Sequence, residues 1–112
     1  MSQFVLFQNA GTASSRTNNF VSVTNLDLPK PGGVLQVNVL ANGGSVSATV
    51  VLVGSNDGIN GVNAGTVVVS SPVAGATASG SIVSSVPWAF YGAYPSAISG
   101  AGTASVTGIL NA

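Results

Sequence analysis

Short runs rich in Val, Thr and aromatic residues, each closed by Gly, Pro or Asn, follow one another along the whole chain. β-Branched and aromatic side chains suit a pleated strand. Turn residues returning at short intervals give the pattern of a sandwich or barrel. Helix formers are scarce: the chain has no Glu, two Lys and Arg together, and few Leu. The fold expected is therefore all-β, an antiparallel β-sandwich of jelly-roll type or a small barrel, with about seven to eight short strands. At 112 residues the chain suits a single domain spanning 1–112.

Alternation places the elements. Gln3–Gln8 reads as a first strand or an N-terminal docking arm. Asn19–Thr24 puts Val21 and Val23 on one face. Leu26–Gly33 is a loop, because Pro29 and Pro31 forbid helix and remove backbone donors. Val34–Leu40 directs Leu35, Val37 and Val39 to one side, and Ser45–Val53 directs Val46, Ala48, Val50 and Leu52 inward. Asn42-Gly43-Gly44 between them predicts a tight hairpin. Gly54–Gly61 is a turn-rich loop in which Gly58 and Gly61 supply positive φ. Thr66–Ser70 is a strand. Val73–Ser85 holds a weak strand near Ser81–Val83 or is a loop. Trp88–Tyr94 is a strand bounded by Pro87 and Pro95. Ala104–Leu110 closes the chain, with Val106 and Leu110 on one face and Ile109 opposite.

The chemical inventory is small. Without His or Cys, the chain has no imidazole base, no thiol nucleophile, no disulfide and no soft metal ligand. Its charged side chains are Arg16, Asp27, Lys30 and Asp57. Two cations cannot neutralise the phosphates that nucleic-acid binding requires. No run approaches the ~18 apolar residues of a membrane helix, and Met1–Gly11 lacks the basic n-region of a signal peptide. Asp27 and Asp57 each sit among turn residues, where a carboxylate bonds nearby backbone amides. One Asp with amide oxygens in Asn56–Asn60 makes a poor calcium site. The sixteen Ser and eight Thr have no base beside them except Lys30. The expectation is a non-enzyme without cofactor or metal.

Val50–Asn60 (VVLVGSNDGIN) and Ser84–Gly100 (SSVPWAFYGAYPSAISG) carry a resemblance. A strand running into Ser55-Asn56-Asp57-Gly58, then Pro87-Trp88 with Tyr91, then Ser99-Gly100 leading to Ser105–Leu110, resembles small structural proteins of tailed bacteriophages. The pattern departs where it often has Trp and this chain has Gly61, and where it tends to have Arg and this chain has Gly92. The resemblance implies a head decoration or cementing protein, often a trimeric β-sandwich, that clamps neighbouring shell subunits. It also implies a place in the virion after synthesis in the host cytoplasm.

The expected partners are the chain itself, as a homo-oligomer, and a major capsid or other virion protein, with neither nucleic acid nor membrane. Possible interface residues are Phe4 and Phe7 in the N-terminal segment and Trp88, Tyr91 and Tyr94 in the aromatic one. On a strand, Trp88, Phe90 and Tyr94 would share a face and Tyr91 would take the other; Trp88 and Phe90 read first as core anchors. The alternatives are a glycan-binding module or adhesin tip using these aromatics, and a self-assembling shell, tube or fibre subunit.

Overall fold

The computed structural model describes residues 3–14, 20–22, 33–84 and 88–111. Eight strands run through them and no helix does: β1 (Gln3–Ala10), β2 (Val21–Ser22), β3 (Val34–Asn42), β4 (Val46–Ser55), β5 (Val62–Ser71), β6 (Thr77–Val83), β7 (Phe90–Gly100) and β8 (Thr103–Asn111). They form two four-stranded antiparallel sheets, ordered β1-β8-β3-β6 and β2-β7-β4-β5. The pairs β1–β8, β2–β7, β3–β6 and β4–β5 are nested, as in one long hairpin rolled over itself. That is jelly-roll connectivity, and the sandwich form of the sequence expectation is the one observed. The barrel form is not: β1 and β6 edge one sheet, β2 and β5 edge the other, and no ladder joins them among the described residues.

The inward faces are those the alternation marked. Leu35, Val37, Val39, Val46, Ala48, Val50, Leu52, Val106 and Leu110 are buried in one cluster. An isolated hairpin is marginal in water, so these two faces stabilise the strands by covering each other at roughly 25 cal/mol per Å² of apolar surface.

Several expectations are corrected. The Asn42-Gly43-Gly44 turn does not make a hairpin. β3 pairs with β6 and β8, β4 pairs with β5 and β7, and the turn carries the chain from one sheet to the other. Gly43 has φ 78°, as Asn-Gly predicts. A local turn code does not decide whether the flanking strands bond side by side or face each other across a core. Gly58 has φ 73°, but Gly61 has no positive φ. A Cβ at Gly61 would strike Val53, so close approach demands that glycine.

Pro95 lies inside β7 rather than ending it. It sits at a register shift, where Val50 opposes Pro95 and Thr49 opposes Ala97, and bulges are where strands tolerate Pro. Val73–Ser85 contains the full strand β6, and Gln3–Gln8 is a strand, not a free arm. Phe4, Leu6, Phe7 and Ala10 all pack on the core, because two register shifts against β8 swing this non-alternating segment inward. Val23, Val86 and most of the proline loop lie outside the described residues.

Two sheet-crossing turns nest at one end of the sandwich. Gly44 and Gly102 approach backbone to backbone, and the Gly102 N–H donates to the Ser45 carbonyl (3.3 Å). A Cβ on Gly102 would press on the Asn42 carbonyl and on Gly44, all backbone, whereas one at Gly43 would meet nothing within 4 Å. Gly102→Ala is expected to cost about 3 kcal/mol and Gly43→Ala about 1 kcal/mol of backbone strain. Urea denaturation checks the order; equal losses would contradict the nested-turn geometry.

Candidate interaction surface

The end of the sandwich opposite the nested turns carries the described acidic side chain and most of the aromatic segment. Here the β4–β5 hairpin closes through Asn56–Gly61. Asp57 organises it. Its Oδ1 accepts from Ser55 Oγ (2.9 Å), the Ile59 N–H (2.8 Å) and the Asn60 N–H (2.8 Å), and its Oδ2 accepts from Asn60 Nδ2 (3.1 Å). The buried Ser55 Oγ in turn accepts from the Gly58 N–H (3.0 Å). The two backbone N–H donors, then the Asn60 amide and the Ser55 hydroxyl, hold the Asp57 carboxyl well below the usual carboxylate range.

This wiring restricts what Asp57 can do. Its Oδ1 is taken up by its own loop and the carboxyl is held ionised, so it takes no proton near neutrality. The turn role expected of it is the one observed. No cluster of three His, Cys, Asp or Glu exists among the described residues. Asp27, Arg16 and Lys30 lie outside the described residues.

The hairpin loop also fastens the start of β7. Asn56 Oδ1 accepts from the Ala89 N–H (3.3 Å), and Tyr91 Oη accepts from the Trp88 N–H (3.2 Å). Trp88 is half-buried and lies flat over Gly54, the last inward position of β4, so tightly that a Cβ there would overlap the indole. The Phe90 ring covers Gly58, with its edge atoms 3.2 Å from where a Cβ would sit. Gly61 lies against Val53 and the Phe20 ring, and Val53 is buried on the outer side of β4.

The proposed interface residues therefore separate. Tyr91 points into the core and is 2 % exposed, opposite Gly54 on β4, so it is not a surface residue. Tyr91, not Phe90, is the core anchor of β7. Phe90 and Tyr94 lie on the outer face, opposite Ser55 and Val51. Trp88, expected to share their face, packs instead on the core side. Phe4 and Phe7 are held by their own subunit; the Phe7 ring occupies the space over Gly108. Tyr94 and the outer part of Trp88 remain partly accessible.

The exposed apolar side chains are others: Val5, Val34, Ile59, Val62, Val68, Val73 and Val83. For Val34, Val68 and Val83 the sequence signal was parity, since each stands beside an inward residue of its strand. Val68 is the middle of three valines, and its neighbours Val67 and Val69 face in. On the outer face of the β1-β8-β3-β6 sheet, amides and hydroxyls satisfy one another: Ser79 Oγ and Gln36 Nε2 donate to Asn38 Oδ1 (2.7 and 3.0 Å), and Ser105 Oγ donates to Asn9 Oδ1 (2.8 Å). A shallow groove there is lined by Val34, Gln36, Ser79, Gly80, Ser81 and Asn111. No buried side-chain N or O among the described residues lacks a partner. The described surface is thus polar by dipoles, with Asp57 its one ionised side chain. No protein-family model, curated protein or solved structure matches the chain.

Two outcomes test this wiring. Asp57 titrates lower in the fold than unfolded, so it adds stability above the unfolded carboxylate value of ~3.9. That contribution declines below this pH and is gone once the pH passes the folded value. Asp57→Ala should lower the thermal midpoint at pH 7, and the gap to the unaltered chain should narrow steadily from pH 4 to pH 2; a constant gap would sink the assignment. Gly54→Ala should displace Trp88, the single tryptophan, and red-shift its emission. Unchanged emission would mean that Trp88 does not sit there.

Proposed function

We propose that this chain is a structural component of a virus particle, a capsid decoration or minor capsid protein of the tailed-bacteriophage kind. It binds a repeated shell lattice, associates with itself and with a major capsid or other virion protein, and catalyses no reaction. The observation that carries this reading is the described surface: apolar side chains and dipoles on rigid strands, with the only described carboxylate tied into its own loop. Such a surface suits burial against a complementary uncharged one. Jelly rolls occur in both viral capsid and lectin domains, so the fold supports the proposal by analogy alone.

Holding is mechanical. Each contact gains about 25 cal/mol per Å² of apolar area buried, less the cost of association. Identical contacts repeated over a shell add through multivalency. The glycan-binding alternative wants exposed aromatics beside free directional polar groups. Tyr91 is in the core and Trp88 lies on Gly54, which weakens it.

Immunogold labelling and cryo-electron microscopy of the native particles test the proposal. Regularly spaced density for the chain on the shell is expected, and its absence from purified particles would refute the function. Co-sedimentation with those particles should change less than about twofold between low and high salt, because screening acts on charges and the chain has only four charged side chains. A steep loss with salt would show that ion pairs hold it.

A further inference from the structure

The four edge strands of the sandwich are not alike. At one edge the strand is blunted: β1 has two register shifts and a left-handed residue, Asn9, at φ 54°. Bulged edges are one way β proteins avoid pairing with other chains. On the opposite side the edges are open. β6 keeps unbroken register with β3 from Val34↔Val83 to Leu40↔Thr77, and β5 keeps it with β4 from Val46↔Ser71 to Leu52↔Gly65, with one register shift before Val53↔Asn63 at its far end.

Neither open strand contains a charge or a Pro, two other protections. Each has a ladder on one side only among the described residues. The two edges also lie flush. Gly65 of β5 lies against Ile82 of β6, 2.5 Å from a built Cβ to Ile82 Cγ2, and Gly80 of β6 lies against Val69 of β5, 2.7 Å to Cγ2.

We propose that this side is where two copies of the chain join, β5 to β5 and β6 to β6, antiparallel about a two-fold axis, extending both sheets to eight strands. The inference rests on the structural reading above and names the surface by which the chain would associate with itself. A second copy is the occupant the edge itself selects. The outward N–H and C=O groups of an antiparallel edge match those of the same strand inverted, so a two-fold pairing is self-complementary. An axis perpendicular to stacked sheets passes both edges, so both ladders form together. The outward side chains near the middle, Thr66, Val68 and Ser70 on β5, carry no like charges to meet their own copies, and Val and Thr pair well across strands. Ten residues of β5 give an edge about 33 Å long. Two sheets deep, that is a footprint on the order of 600 Å², near the ~800 Å² per partner of a standard interface. The expected unit is a dimer, in place of the trimer that the bacteriophage resemblance implies.

Sedimentation velocity and light scattering on the full chain at tens of micromolar test it. The chain should run at twice its 10.9 kDa mass. Val68→Lys and, on the other edge, Ser81→Lys should each shift it to monomer with unchanged far-ultraviolet circular dichroism. Val5→Lys, on the blunted β1 edge, should leave the dimer intact. Mixing Val68→Lys with Val68→Glu should restore a heterodimer. A monomeric or trimeric unaltered chain, or dissociation by Val5→Lys but not by Val68→Lys, would overturn the edge pairing. A monomer found on particles would overturn this inference alone; a β5-paired dimer absent from particles would overturn the proposed function alone.

Discussion

Two sheet faces covering one another is the interaction on which the rest of the structure depends. The buried residues of β3, β4, β7 and β8 form one cluster shared between the sheets. Six of the seven connections cross from one sheet to the other, and β4–β5 alone is a hairpin. The chain must therefore turn through the thickness of the core again and again. The crossings at Gly43-Gly44 and Gly100-Ala101-Gly102 fit because they stack backbone on backbone. Gly65 and Gly80 along the β5–β6 side instead make room for facing side chains, Ile82 and Val69, where a Cβ would push the sheets apart.

The scarcity of charge acts differently inside and outside. Inside, it leaves nothing expensive to bury: the buried polar residues Ser55, Ser71 and Ser84 are small, and no buried polar side-chain atom among the described residues lacks a partner. Outside, it removes the usual devices for keeping protein surfaces apart. Asp57 shows the economy of the arrangement. One carboxylate accepts bonds from two backbone amides and two side chains, shapes the single hairpin, and through Asn56 anchors the start of β7.

Self-association and shell binding draw on the same property but on different surfaces. The open edges offer hydrogen-bonding groups in a fixed repeat, which select another strand. The outer faces offer side chains already bonded to one another, such as Asn38 with Ser79 and Gln36, which select a flat and uncharged neighbour. A dimer built on the edges leaves the outer faces free for the shell, so the two proposals are compatible in space as well as in chemistry.

Alternation along each strand determined the all-β class and the inner faces of β3, β4 and β8, because a period of two assigns sides without knowledge of partners. Asp-Gly and Asn-Gly determined where the chain turns, since positive φ at Gly58 and Gly43 is a local property. The tertiary structure alone decided which strands are neighbours. Asn42-Gly43 looks like a hairpin in sequence and is a crossing in space, because β8 and β6 take the places beside β3 that β4 would have taken. It also decided the fate of the aromatics. Trp88 and Tyr91 were legible as an unusual segment, but pairing of Tyr91 with Gly54 and the missing Cβ at Gly54, which leaves room for Trp88, brought both into the molecule. The open and blunted edges were illegible for the same reason: an edge is defined by the absence of a neighbour, and neighbours in a jelly roll come from the far end of the chain.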